Sequence, residues 1–302
     1  MPWGSQEPSG QSERSSTALL ARERAAFHAA LLRDGILAVD ATGVASNADK
    51  GSTASKAYAA HIATSLRAEV GSPKLAGQTA GGGFEQACSD FLSATFPALG
   101  HLRPGGWHIS KVGGRGEASG VARFEQYAHL VELTEAVRQN PSLQAVLGNG
   151  YAIAPDVVVY RDPVSDDEIN APAEIVDDAT AIHASLRSAV QQSPILHAVV
   201  SCKWTLRSDR AQNARSEALN LIRNRKGRLP HIAVVTGEPT PTRISSLALG
   251  TGDIDCVYHF ALPELVRAVG ERGADDAREL LDMMIEGKRL KDISDLPLDL
   301  AV

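Results

Sequence analysis

Four short runs of apolar, largely β-branched residues constrain this chain most: Ile153 to Tyr160, Ala198 to Trp204, His231 to Thr236 and Cys256 to His259. Each is short enough for a strand, and helical patterns lie between them, so they read as strands separated by helices. The fold class this predicts is α/β, a central mixed β-sheet flanked by helices. With 302 residues, 43% of them apolar, there is enough material to cover such a sheet on both faces.

The first half reads as helical. Residues 1–16, rich in Ser, Gly, Gln and Glu, are expected to form a flexible tail, followed by one domain over 17–302 with a helical part, 17–150, and an α/β part, 151–302. Ser16 can cap a first helix through Leu31, stopped at Asp34-Gly35, and a second helix is expected over about Thr53 to Val70. Gly77 to Gly83 opens a third, in which Phe84, Cys88, Phe91, Leu92 and Thr95 share a face and Glu85 borders it. Gly113 to Gly120 reads as a flexible loop, and Leu130 to Val137 as helix. Between the first two strands, Asp166, Asp167, Glu168, Glu174, Asp177 and Asp178 form an acidic insertion, expected to be a solvated excursion plus a helix.

Three widely spaced cysteines, Cys88, Cys202 and Cys256, suit neither a disulfide scaffold nor a CxxC zinc site and point to a reducing cytosol. No run approaches the roughly 18 apolar residues a membrane span needs. None of the nine histidines forms a close pair with metal-ligand spacing, and the glycine-rich segments lack the Lys-Ser/Thr of a phosphate-binding loop. Trp204 and Phe260 read as core residues.

The net charge of −6 argues against a general polyanion binder. Its distribution argues differently, because residues 203–228 hold eight basic side chains against Asp209 and Glu217, a local charge of +6. A charge run alone is usually a solvated helix face. Here Arg207, Asp209 and Arg210 cluster where a strand hands over to a helix, expected from about Arg210 to Asn224 with Ser208 or Asp209 as its cap. A helix start so placed can enter a major groove. Arginine can read guanine O6 and N7 in a bidentate manner and aspartate can accept from cytosine N4, so the trio suits alternating G and C.

A second constellation surrounds it. Pro155-Asp156 stands in one expected strand and Ser201-Cys202-Lys203 closes the next; Glu217 follows on the helix and Glu85 comes from the third helix. Three carboxylates and a lysine are what metal-assisted phosphodiester hydrolysis uses, with hard oxygens holding Mg²⁺. Each piece is common by chance, Ser201 stands where such patterns usually carry an acid, and Arg210 and Glu217 share a helix face that would equally suit a salt bridge.

Taken together, Pro155-Asp156, 46 intervening residues, Lys203, 13 more and Glu217 resemble the permuted active-site pattern of the CCGG-family type II restriction endonucleases. The run SCKWTLRSDRAQNAR, Ser201 to Arg215, is closely similar to the NgoMIV-like members of that family. The resemblance implies a restriction-endonuclease-like core in which Asp156 and Glu217 organise metal, Lys203 is catalytic, Ser201 and the Cys202 backbone carbonyl line the site, and Glu85 is an additional acid. It also gives Arg207, Asp209 and Arg210 the inner CCGG pairs, and Arg243, Gln78 and Asp49 the outer G·C pair.

What it implies for function is Mg²⁺-dependent cutting of double-stranded DNA at GCCGGC with 5′ overhangs, by a cytoplasmic homodimer or homotetramer (a dimer of dimers) paired with a cognate methyltransferase. A palindromic site by itself asks for a two-fold protein. Three other readings compete. A non-catalytic DNA-binding protein leaves Asp156, Ser201, Lys203, Glu217 and Glu85 without a purpose; a repair or recombination nuclease of the same fold leaves the Arg-x-Asp-Arg trio without one. A Ser201-Lys203 hydrolase lacks a nucleophile elbow.

Overall fold

The computed structural model describes residues 17–72, 75–112, 120–147, 153–250 and 252–302. Six strands form one sheet in chain order: β1 Trp107–Lys111, β2 Val157–Arg161, β3 Ile195–Lys203, β4 His231–Thr236, β5 Cys256–His259 and β6 Leu290–Asp292. β1, β2 and β3 pair antiparallel, whereas β3 to β6 run parallel. The helices are α1 Leu19–Arg33, α2 Thr53–Ser65, α3 Gly77–Thr95, α4 His129–Gln139, α5 Pro141–Leu147, α6 Asp166–Ile169, α7 Ser208–Asn224, α8 Pro241–Ala248, α9 Leu262–Arg272, α10 Asp275–Glu286 and α11 Leu296–Asp299. Among the described residues, no helix is long and apolar enough to cross a membrane. The mixed sheet flanked by helices is the expected fold class.

The strand composition accounts for the layering. β3 is buried along its whole interior, as a central strand covered on both faces must be, and its run Leu196 to Cys202 is correspondingly apolar on both sides apart from His197 and Ser201. α7 turns Ala211, Ala214, Ala218 and Leu221 inward at helical spacing. α3 buries Phe84, Cys88, Phe91 and Leu92, and Phe84 packs its ring 5.0 Å from that of Trp204, just past β3. The Cys88 and Cys202 thiols, both buried and free, also meet across this α3–β3 contact. These contacts fix the helix that carries Glu85 against the strand that carries Lys203.

The register delivers the site. Lys203, Thr236, His259 and Asp292 lie side by side at the carboxyl ends of the four parallel strands, the edge at which open α/β sheets bind ligands. Because β2 runs against β3, with Val157 opposite Val200, the residue that precedes β2 reaches the same edge. That residue is Asp156.

Several expected boundaries shift. Pro155-Asp156 lies just outside β2 rather than within a strand, which frees Asp156 from the ladder to turn toward Lys203. α2 ends at Ser65, not near Val70: Arg67 takes the left-handed conformation, φ +63°, and the chain returns so that Val70 bridges Val39. α1 starts at Leu19 with Ala18 at its N-cap, while Ser16 and the 1–16 segment lie outside the described residues. So does Gly113 to Ser119 of the expected glycine loop. α7 begins at Ser208, and Arg207, not Ser208 or Asp209, holds the N-cap. β3 begins at Ile195, ahead of the expected Ala198, so His197 lies within it. β1 and β6 had no counterpart among the expected strands. The acidic insertion contains the short α6 and is tied down by the buried Arg187, which donates to both carboxylate oxygens of Asp166 at 2.9 and 2.7 Å and to the carbonyls of Asp177 and Thr180.

One ion cluster clamps the helical layer to the sheet. Arg24 of α1 donates to Glu264 of α9 at 2.6 Å and to Asp292 of β6 at 2.8 Å. Burial opposes ionisation of both carboxyls, but Arg24 outweighs it and holds each below its ordinary value. Depressed carboxyl pKa values contribute stability above the unfolded values near pH 4, and that contribution is lost as pH falls through the folded ones. Arg24→Met, which leaves buried Asp292 without its cation and Glu264 with only the more exposed Arg267 at 3.2 Å, is therefore expected to cost about 3 kcal/mol at pH 7. Urea denaturation of both proteins as a function of pH checks this: the difference should shrink as pH falls below about 4.

Candidate active site and DNA-reading surface

Asp156 is the hub. Its Oδ2 accepts from the Cys202 N–H at 2.6 Å, the Lys203 Nζ at 2.8 Å and, more weakly, the Ser201 hydroxyl at 3.4 Å. Among the described residues Oδ1 accepts no hydrogen bond, which makes it the oxygen through which this carboxylate can meet a cation. Asp156 and Lys203 side chains are only 20% and 18% exposed, so their attraction is less screened than that of a surface pair. Burial would push the Lys203 ammonium down; Asp156, and behind it Glu217, outweigh that and hold it above the ordinary lysine value.

Glu85 approaches from α3. Burial and the neighbouring Asp156 charge push its carboxyl above the ordinary range, with Lys111 and Lys203 working against the shift. Lys111, at the end of β1, stands 3.5 Å from the Glu85 carboxylate and donates to the Gly82 carbonyl at 3.1 Å. The residue had not been anticipated. Its strand, Trp107–Lys111, is signalled only by the four-residue alternation of Trp107 and Ile109 with His108 and Ser110 after Gly105-Gly106, and Lys111 itself breaks that alternation.

The structure thus brings Asp156, Ser201, Cys202 and Lys203 into direct contact, with Glu85 and Glu217 close enough to alter local charge. Among the described residues no three His, Cys, Asp or Glu side chains stand close enough together to hold an ion unaided. The donor set nonetheless suits a hard cation that keeps waters. Mg²⁺ takes one or two carboxylates, and here Asp156 stands near enough to raise the carboxyl pKa of a half-buried Glu85, which another positive charge would favour in its ionised form.

Four residues beyond Lys203, the exposed Arg207 occupies the N-cap of α7, with Asp209 in the first turn and Arg210 anchored to the Thr205 hydroxyl at 2.9 Å. Arg243, in the first turn of α8, pairs with Asp49 and donates to the Leu206 carbonyl at 3.3 Å. The Gly51 N–H, then Arg243 and Arg207, hold the Asp49 carboxyl below its ordinary value, overcoming a small opposing effect of burial. Residues from distant parts of the chain, Asp49, Arg207 and Arg243, therefore share one surface. Gln78 is exposed in the first turn of α3 and makes no hydrogen bond to Asp49 or Arg243 among the described residues.

A mixed sheet with a lysine and carboxylates at its carboxyl edge, beside an arginine-bearing helix start, is the architecture of a site-specific nuclease. The NgoMIV restriction enzyme family matches residues 27–302. The type II restriction enzyme NgoMIV of Neisseria gonorrhoeae is 55% identical over 284 residues, which cover 94% of this chain and 99% of that protein. A solved complex of restriction endonuclease PspGI with substrate DNA aligns with 94% of this chain and 92% of its own, at 12% identity and a TM-score of 0.25. The chain belongs to the NgoMIV restriction enzyme family and is a type II restriction endonuclease, a site-specific deoxyribonuclease.

Proposed function

We propose that the protein hydrolyses phosphodiester bonds of double-stranded DNA at GCCGGC, leaving 5′ overhangs, with Mg²⁺ bound by Asp156 and the Cys202 carbonyl and assisted by Glu217 and Glu85. The observation that carries this reading is the Asp156–Lys203 pair at the end of β3, four residues from Arg207 at the start of α7. Chemistry and sequence reading are then set by one short stretch of chain.

When bound, the metal ion supplies a water of lowered pKa and positive charge against the reacting phosphate. The protein's own groups do the rest. Asp156 fixes the lysine, and the Lys203 ammonium, kept protonated, neutralises charge as it builds on a phosphate oxygen. Ser201 and Cys202 hold the Asp156 carboxylate in place through its Oδ2. Arg207, Asp209 and Arg210 read the inner CCGG pairs from the major groove, and Arg243, Asp49 and Gln78 the outer G·C pair. A palindrome read this way needs two copies related by a two-fold axis, so the protein works as a homodimer or as a homotetramer of two such dimers. It acts in the cytosol beside a methyltransferase that protects the same sequence.

Incubating plasmid DNA with the protein and Mg²⁺ and sequencing the ends tests the proposal. Ends sharing GCCGGC with a 5′ extension are expected; no cuts, or ends without a common sequence, would overturn it. Arg243→Ala should lower discrimination at the outer base pair by about 1–3 kcal/mol, measured as relative cleavage of GCCGGC and of sites with that pair changed. An unaltered ratio would mean that Arg243 serves only Asp49 and Leu206.

A further inference from the structure

We propose that Glu238, a buried carboxylate between β4 and α8, is the positioning residue that locks the DNA-reading starts of α7 and α8 to each other and to the catalytic strand, and so sets discrimination at the outer base pair. This inference rests on the reading of Arg207 and Arg243 as base-contacting residues.

Glu238 is completely inaccessible to solvent. Its Oε2 accepts from the Leu206 N–H at 3.0 Å, the residue immediately before Arg207. Its Oε1 accepts from the N–H of Thr240, the N-cap of α8, at 3.2 Å. The guanidinium of Arg243 lies 3.8 Å from Oε2 and donates to the Leu206 carbonyl as well. One side chain therefore joins the entry points of both reading helices and touches the arginine assigned to the outer pair.

The backbone around Glu238 extends the connection to the chemistry. The Lys203 carbonyl accepts from the Gly237 N–H at 3.1 Å and from the Thr236 hydroxyl at 2.8 Å, and that hydroxyl in turn accepts from the Glu238 N–H at 3.1 Å. On the other side, the buried Asn47, two residues before Asp49, donates to the Gly237 carbonyl at 2.7 Å. Gly237 is required here for space: a Cβ would stand 2.4 Å from the Trp204 ring. Residues 236–240 thus form a junction on which Lys203, Arg207, Arg243 and the Asp49 loop all depend for position.

A charged group in this place is costly to bury, and a fold built for stability alone would do as well with an apolar contact. What the carboxylate adds is direction, because two acceptor oxygens on one plane fix two N–H groups in the segments that lead into different helices, Leu206 before α7 and Thr240 at the N-cap of α8. Removing it leaves the Leu206 and Thr240 N–H groups buried without partners and lets α7 and α8 shift relative to each other. A shift of that kind acts on base contacts more than on the phosphate contacts common to all DNA.

The test is the ratio of kcat/KM for GCCGGC to that for sites that keep CCGG and change the outer pair, measured with Mg²⁺. Loss of stability alone leaves this ratio unchanged, because both substrates meet the same folded fraction. Glu238→Ala is expected to lower the ratio at least about tenfold, and Glu238→Gln, which keeps the volume and one acceptor, at least about threefold. Should the alanine variant fail to fold, the glutamine variant decides. A ratio in folded Glu238→Gln protein equal to that of the unaltered enzyme overturns the inference. If the unaltered enzyme itself cuts both kinds of site equally, the recognition reading fails instead.

Discussion

Replacing Asp156 with alanine is expected to abolish DNA cleavage, lowering kcat/KM by about a thousandfold or more, while specific binding in Ca²⁺ survives. The size of the effect follows from how many functions converge on one carboxylate. Asp156 Oδ2 holds the Lys203 ammonium at 2.8 Å and the Cys202 N–H at 2.6 Å, and Oδ1 is the oxygen through which it can meet a metal ion. Alanine removes all of these together. Burial of Lys203 remains, and with Asp156 gone the factor that most strongly opposes it is lost, so the lysine pKa moves down. Binding should persist because Arg207 and Arg243 are held by Leu206, Asp49 and the start of α7, none of which bonds to Asp156. Asp156→Asn keeps the shape and one acceptor and separates charge from packing; it too should be inactive. Cleavage rates in Mg²⁺ and gel-shift titrations in Ca²⁺ measure the two properties. Retained cutting would remove Asp156 from the site, and loss of both properties would give it a structural role.

The parts of the fold that were legible in the sequence are those where burial is dense. β4 and β5 fall where their β-branched runs place them, and the inward face of α3 is the one its spacing predicts. β1 is hard to see in the sequence because its alternation, Trp107 and Ile109 apolar against His108 and Ser110 polar, spans only four residues before Lys111 breaks it, and it carries no β-branched run like those of β2, β3 and β4. β6, three residues long, depends on its neighbour β5 and on the Arg24 clamp at Asp292, neither of which is local information. The early end of α2 turns on a left-handed Arg67, a conformation no local residue type announces.

The site was legible to a different degree. Lys203 and Asp156 follow from position, since residues at the facing ends of adjacent antiparallel strands must meet. Glu85 needed the α3 packing through Phe84 and Trp204 to bring it near. Lys111 and Glu238 were missed for one physical reason: each acts through groups far away in sequence, Glu85 and Gly82 in the first case, Leu206 and Arg243 in the second. A glutamate in Gly237-Glu238-Pro239 reads locally as a solvated turn, and only its complete burial distinguishes it.

Arg207→Ala is expected to produce the largest loss of specific affinity. Each bidentate arginine–guanine contact is worth about 1–3 kcal/mol, and a two-fold complex uses the residue twice, so the loss is about 2–6 kcal/mol per dimer. Folding is not the cause. The side chain is exposed and makes no capping hydrogen bond; the N-cap role is played by its backbone, extended at φ −105° and ψ 163°, whose carbonyl accepts from the Ala211 N–H at 3.0 Å. Alanine preserves that role, so stability should change by no more than about 0.5 kcal/mol. Arg207→Lys separates charge from shape. An ammonium retains attraction to phosphate but lacks the planar fork that matches guanine O6 and N7, so it should restore non-specific affinity without discrimination. Titrating cognate and scrambled duplexes in Ca²⁺ at one fixed salt concentration gives both quantities. If Arg207→Ala weakens both duplexes equally, Arg207 contacts phosphate rather than a base, and reading of the inner pairs passes to Asp209 and Arg210.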